Sequence, residues 1–323
     1  MKRRDFIRLL GGAAAAWPIT AGAQQPKVPV IGYLGISSGA AARRETFRRA
    51  LSEAGYVEGR NVAVEFRADD RLDRLPELAA DLARRGVSVI VAYGVPATTA
   101  AKAATTTIPI IFQMGVDPVA FGFVRSFNRP GANLTGIATL GVELGPKHLE
   151  LLHELVPAAT VIGLLVNPAN PSSQAATREL KAAAEKLGID LHIMQVRNEA
   201  DFEPAFAALR DLKAGALVIS NEGLLNGRSE QLAGLALRDR LPAIHVSSAF
   251  TAAGGLASYG ARTSDTDRLV VRYIDRILKG EKAADLPVIQ PTSFGLVINL
   301  NTARALGLIV PPTLLATADE VIE

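Results

Sequence analysis

Residues 28–67 read VPVIGYLGISSGAAARRETFRRALSEAGYVEGRNVAVEFR, and the change of period inside this stretch decides the fold. Val28 to Ser37 is a short β-branched and apolar run interrupted by glycine, the signature of a buried strand. Ala42 to Tyr56 is a helical stretch rich in Ala, Leu and Arg, and Val62 to Arg67 returns to a strand. Two strands separated by a full helix pair in parallel, because a hairpin needs only a tight turn between them.

The same alternation runs outward from there. Strand starts near 30, 62, 87, 108 and 134 are echoed near 160, 189, 216, 241 and 255, with helices expected over 75–86, 146–156, 172–188, 202–212 and 228–240. The chain thus reads as an α/β protein with two similar lobes built one after the other. After residue 260 a single amphipathic helix, with Leu269, Val270, Tyr273, Ile274 and Ile277 at helical spacing, precedes a strand-like run interrupted by Pro291 and a short helix over 302–308. One helix and one strand are too little for a core of their own, so they must complete the existing lobes. The chain therefore passes between lobes more than once, which makes a hinge and a cleft suited to closing on a ligand.

The first 23 residues follow different rules. Lys2, Arg3, Arg4 and Arg8 form a basic head, an apolar stretch runs from Leu9 to Thr20, and Ala21-Gly22-Ala23 gives small residues where a signal peptidase cuts. Gly11-Gly12 and Pro18 would break a first helix twice. The segment is also too short to span a bilayer, and Arg3-Arg4-Asp5-Phe6-Ile7-Arg8 resembles a twin-arginine export signal. Residues 1–23 are accordingly expected to be a signal peptide removed near Ala23, leaving the protein in the periplasm. Taking its four bases and one acid from the 35 bases and 32 acids of the whole chain leaves the two signs equal, which argues against nucleic acid as partner. The chain has no cysteine, so disulfides, thiolate chemistry and a lipid anchor on cysteine are excluded.

Parallel α/β sheets bind ligands beyond the carboxyl ends of their strands, near helix N-termini. The residues to watch are those just after each strand: Ser37 and Ser38; the run Tyr93, Gly94, Val95, Pro96, Ala97, Thr98; Gln113 to Pro118 with Asp117; Asn167 to Asn170; Ser220, Asn221 and Glu222; Ser247-Ser248; and Tyr259-Gly260. In YGVPATT, Pro96 can open a helix and the threonines can add hydroxyls beside its free N–H groups for a carboxylate, or the loop is an ordinary cap. Asn167 can touch a ligand or only shape a turn. Asp117 can cap a segment or meet an ammonium, and Glu222 is a contact or a solvated charge. Catalytic patterns are weak. His148 and His153 are five apart on one helix, there is no G-x-S-x-G or H-E-x-x-H, and glycines 32, 35 and 39 do not form G-x-G-x-x-G. No cofactor and no metal site is expected.

Four stretches in order, FGFVRSFNRPGANLTGIAT (121–139), LELLHELVPAATVIGLLVNPANP (149–171), RLPAIHVSSAFTAAGGLASYG (240–260) and ILKGEKAADLPVIQPTSFGLVINLNTARALGL (277–308), resemble the ABC-transporter substrate-binding proteins of the tryptophan/tyrosine-transport type. The resemblance implies a type I periplasmic binding-protein fold: two Rossmann-like lobes with parallel sheets joined by three hinge crossovers, near 138–143, 258–261 and 290–294. Lobe 1 would hold 27–140 and 261–290, and lobe 2 would hold 141–260 and 291–323. It implies a solute-binding protein of an ABC importer rather than an enzyme, a monomer delivering an amino acid or other small carboxylate, aromatic ones included, to an inner-membrane ABC permease. By position the contacts would fall on Ser37, Ser38, the Gly94–Thr98 loop, Asp117, Thr135, Asn167, Asn221 and Tyr259. A ligand-sensing partner of a membrane receptor and an exported enzyme are the alternatives.

Overall fold

The computed structural model describes residues 28–36, 40–140 and 144–323. The expected export signal, Ser37 and Ser38 lie outside the described residues. The first sheet contains β1 (Val30–Gly35), β2 (Ala63–Ala68), β3 (Val89–Tyr93), β4 (Ile110–Met114) and β5 (Leu134–Ala138). Their order is β2-β1-β3-β4-β5, with every neighbouring pair parallel. Period-two alternation splits these strands into two apolar faces. Leu34, Ile90, Ala92, Ile110 and Phe112 pack under α2 (Leu75–Arg84) and α3 (Gly94–Ala104). Ile31, Tyr33, Val89, Val91, Ile111 and Ile137 pack on the other side, against Phe47 and Leu51 of α1 (Ala40–Glu53) and Val270, Tyr273 and Ile274 of α10 (Thr263–Leu278).

The second sheet runs β12-β11-β10-β9-β8-β6-β7. Its strands are β6 (Val161–Val166), β7 (Asp190–Gln195), β8 (Ala216–Ile219), β9 (Ala243–His245), β10 (Ala257–Ala261), β11 (Phe294–Asn299) and β12 (Glu320–Ile322). One face, with Ile162, Leu164, Val166 and Val218, is covered by α4 (Gly145–Leu155) and α5 (Ser172–Leu187), joined by Ala303 of α11 (Leu300–Leu306) and Leu314 of α12 (Pro312–Thr317). The other face, with Leu165, Leu217 and Ile219, packs on Phe202, Phe206 and Leu209 of α6 (Phe202–Asp211) and Leu232 of α8 (Ser229–Arg238). Each such side chain taken fully out of water contributes about 1.5–3 kcal/mol before chain entropy is subtracted.

The chain passes between the sheets between Ala138 and Gly145, between Ala261 and Thr263, and between Ile289 and Phe294. The tail helix α10 docks on the first sheet, and the segment after it runs beside β5, where Ile289 N–H donates to Gly136 and Ala138 N–H donates to Ile289, both at 2.9 Å. The chain then re-enters the second sheet as β11. One pairing departs from the parallel expectation: β10 and β11 are antiparallel. The physical reason is the excursion itself, which brings the chain back to the second sheet from the end where it left.

Candidate functional site

Between the two sheets lies a cavity of about 1110 Å³. The ends of β1, β3 and β4, with the first turns of α1 and α3, build one wall; the ends of β6, β8 and β9 build the other. This is the position that parallel α/β geometry assigns to a ligand. Gly94 turns the chain from β3 into α3 with φ +85°, a conformation that a side chain would strain, and Val95 and Pro96 follow it into the cavity wall.

The first wall is organised by Arg43 and Asp267. Arg43 is about a quarter exposed (24%), Asp267 is fully buried, and their closest approach is 3.3 Å. The guanidinium also donates to Gln113 Oε1 and lies 4.4 Å from the centroid of the Tyr93 ring. Tyr93 in turn stacks on Tyr33 at 4.7 Å and donates its hydroxyl to Asp267 Oδ1 at 3.4 Å. Burial works against the charge on Arg43, but Asp267 and the two tyrosines outweigh it and hold the guanidinium more strongly protonated than usual. Burial pushes the Asp267 carboxyl up, with Arg43 pulling the other way, and pushes the Tyr33 hydroxyl up to about 12. The wall is thus a charge pair that largely answers itself, backed by aromatic rings.

The second wall is small and polar: Asn170, Ser172, Asn221, Glu222, Asn226 and Ser247 face the cavity, with Gly223. Glu222, at 4% exposure, follows β8 and precedes the short helix α7 (Gly223–Gly227). Its Oε1 accepts from the Asn167 backbone at 3.0 Å, the Ser220 hydroxyl at 2.7 Å and the Ser173 hydroxyl at 3.2 Å. Its Oε2 is buried and has no hydrogen-bond partner. Burial pushes its carboxyl up to about 7, against the pull of those donors. Next to it, a Cβ built on Gly223 would stand 2.5 Å from Ile36 Cδ1 of the opposite lobe, so the Ile36 side chain packs directly on the Gly223 backbone.

Of the residues expected from sequence, Tyr93, Gly94, Val95, Pro96, Asn221 and Glu222 line the cavity. Ala97, Thr98, Asp117, Thr135, Asn167 and Tyr259 do not, and each makes contacts within one lobe. Ala97 is buried in the first core. The Thr98 hydroxyl donates to Gly94 O within its own helix (2.8 Å), and the Thr135 hydroxyl to Leu286 O (2.6 Å). Asp117 Oδ1 accepts from Val119 N at 2.7 Å and Ala120 N at 3.3 Å. Asn167 Oδ1 closes a turn onto Ala169 N at 2.9 Å, and Tyr259 O pairs with His148 Nε2 at 2.6 Å. Arg43, Tyr33, Gln113 and Asn226 carry more of the wall than these six. Arg43 sits in the first turn of the helix after β1, so extending the strand-end rule by one helical turn would have found it.

Among the described residues no group of three or more His, Cys, Asp or Glu is placed to hold a metal ion, and no helix is long and apolar enough to cross a membrane. His148 and His245 are buried, and burial pushes their imidazoles down to about 4 and about 3, so both stand neutral.

Residues 27–322 match the family model described as ABC transporter substrate binding protein. A tyrosine-binding protein of Clostridioides difficile (strain R20291) is 26% identical over 267 residues, covering 82% of this chain and 76% of that protein. The structure of an ABC domain in complex with L-Trp, from Streptococcus pneumonia, superposes with a TM-score of 0.80 at 25% identity, covering 90% of this chain and 100% of that one. The ligand-free, open structure of a substrate-binding protein with adhesive properties from Clostridium difficile gives 0.62 at 26% identity, covering 91% and 99%. At nearly equal identity the molecule superposes better on the L-Trp complex than on that open structure.

Proposed function

The chain belongs to the ABC transporter substrate binding protein family, and from that premise we propose that it is the periplasmic receptor of an importer, capturing an amino acid between its lobes for an inner-membrane permease. The observation that carries the reading is the cavity itself, set at the strand ends between the two sheets. Residues 27–140 with 261–290 form lobe 1, residues 141–260 with 291–323 form lobe 2, and the three passages between sheets are the hinge. The relatives' ligands, tyrosine and L-Trp, support an amino acid as the captured solute, aromatic ones included. In this reading the ligand carboxylate rests against the N-terminal turn of α3 and the Arg43 guanidinium, where free N–H groups and a fixed cation favour an anion. Ser37 and Ser38 stay among the contacts proposed from sequence.

The role is binding rather than catalysis: affinity is the contact energy left after the lobes have been held closed. Residues 1–23 act as the export signal, and the processed protein works as a monomer that can dock on its permease. The test is a thermal-shift screen of residues 24–323 against the L-amino acids, small carboxylates and sugars. A midpoint that rises with the concentration of one or a few amino acids is the expected result, since only ligand bound to the folded state stabilises it. A shift with sugars alone, or with none of the compounds, would overturn the reading.

A further inference from the structure

Arg228 is one cation between two acids that belong to different sheets. It sits between α7 and α8, its N–H donating to Leu225 O at 3.2 Å and its carbonyl accepting from Leu232 N–H at 2.9 Å. Its guanidinium donates to Glu199, just ahead of α6 on its own side of the cleft, and reaches Asp70 Oδ2 on the other side at 3.4 Å. Asp70 follows β2 of the first sheet, and the neighbouring Asp69 N–H donates to Gly35 O at 3.3 Å, which ties that loop to the end of β1. The residue after Gly35 is Ile36, which packs on Gly223. An apolar and an ionic contact therefore join the same two segments across the cleft.

The two partners of Arg228 depend on different things. Glu199 shares the second sheet with it, so that pair survives any movement of one lobe against the other. The pair with Asp70 lasts only while the two segments face each other. Two of the three passages meet the first sheet at β5, and β2 is the opposite edge, four strand spacings or about 19 Å away. A hinge beside β5 moves Asp70 further than any residue near β5. We infer that Arg228 and Asp70 form an ionic latch that holds the lobes together, with Glu199 keeping the guanidinium aimed. This rests on the hinge reading above and not on the identity of the ligand. Exposed ion pairs usually contribute little, because fixing two long side chains costs entropy. Here Arg228 is mostly covered and already engaged by Glu199, so much of that cost is met before Asp70 arrives. The contact is worth a few-fold in the closure equilibrium, and salt screens it.

The experiment is disulfide trapping in ligand-free protein. The chain has no cysteine, and a Cβ on Gly223 lies 3.3 Å from Ile36 Cβ, near the roughly 3.5–4.5 Å of a disulfide. Ile36→Cys with Gly223→Cys, oxidised by diamide, therefore reports how often the lobes meet, once normalised to alkylation of each single-cysteine chain. At low salt D70N should slow trapping about threefold, and about 0.5 M NaCl should slow the chain with Asp70 intact to the same rate while leaving D70N unchanged. R228Q should slow trapping at least as much, since Glu199 then faces Asp70 as a like charge, and that cost should vanish in the D70N background. Trapping in D70N as fast as with Asp70 in place, or an equal salt effect in both, would overturn the inference. Small-angle scattering of the oxidised and reduced chains separates the two readings. A reduced form with the larger radius of gyration keeps the hinge even where the latch falls, whereas equal radii together with equal trapping sink both. Absence of any cross-link would overturn the latch as well, because the two segments then do not meet in solution.

Discussion

The two walls of the cleft solve the problem of buried charge in opposite ways. On the first lobe, Arg43 and Asp267 come from different helices and answer each other at 3.3 Å, with Gln113 and Tyr93 taking further donors and acceptors. On the second, Glu222 is held by neutral donors only and keeps one oxygen unanswered. Asp267 Oδ2 and Arg43 Nε also lack hydrogen-bond partners, so the walls differ in pairing opposite charges and not in leaving every polar atom satisfied. The first wall thus offers a preformed ion pair, and the second a lone carboxylate held by neutral groups.

The contrast can be broken hardest at the first wall. Arg43→Met leaves Asp267 buried without its cation, and urea unfolding should show a loss of about 3 kcal/mol, the usual scale for half of a buried pair. The double variant with Asp267→Leu should recover most of it; no recovery would mean the loss came from packing alone. At the second wall the effect takes the form of pH dependence. A carboxyl raised from 4.5 to about 7 on folding contributes stability that is present below pH 4.5 and is lost as pH rises through 7. The full loss is about 3 kcal/mol, and E222Q should flatten that alkaline limb of the stability profile. His148 and His245 act in the opposite sense: their lowered values make stability complete above pH 6.5 and lost progressively as pH falls below it. His245→Phe should flatten the acid limb, with the Glu222 limb unchanged.

Smaller effects sharpen the line between contacts and scaffolding. Gly223→Val pushes a side chain into Ile36 and opposes closure, so affinity in the calorimeter should fall about tenfold while the midpoint of the unliganded protein holds. An equal fall in unliganded stability would show that the site serves folding instead. Asp117→Ala removes two turn hydrogen bonds and should lower stability by about 1 kcal/mol with affinity unchanged. A loss of affinity there would return Asp117 to the site.

The strands were legible because period-two alternation and β-branched residues mark them locally: expected starts at 30, 134 and 216 are where β1, β5 and β8 begin. The short helices Gly223–Gly227 and Ser248–Ala252 were not, because five residues hold too little of a 3.6-residue period. The reversed direction of β11 depends on where α10 docks, and no residue of Phe294–Asn299 encodes it. At the site, the strand-end rule led to Tyr93 and Glu222 by position. It could not tell that the Thr98 and Thr135 hydroxyls would be absorbed within the lobe, nor that Arg43 and Asp267, on two helices remote in sequence, would meet. Pairings of that kind are fixed by helix docking, which is tertiary information.

The passages between sheets also set an order of events during synthesis. The face of the first sheet beneath Val270 and Ile274 stays uncovered until the ribosome has passed residue 278, and the second sheet lacks its β11 and β12 edge until the final turn of the chain emerges. Neither lobe can bury its whole core ahead of the other as a finished unit, although domains made one after another ordinarily do. A nascent chain stopped at residue 250 carries two incomplete cores at once, and the cell must keep both from sticking until α10, β11 and β12 have emerged.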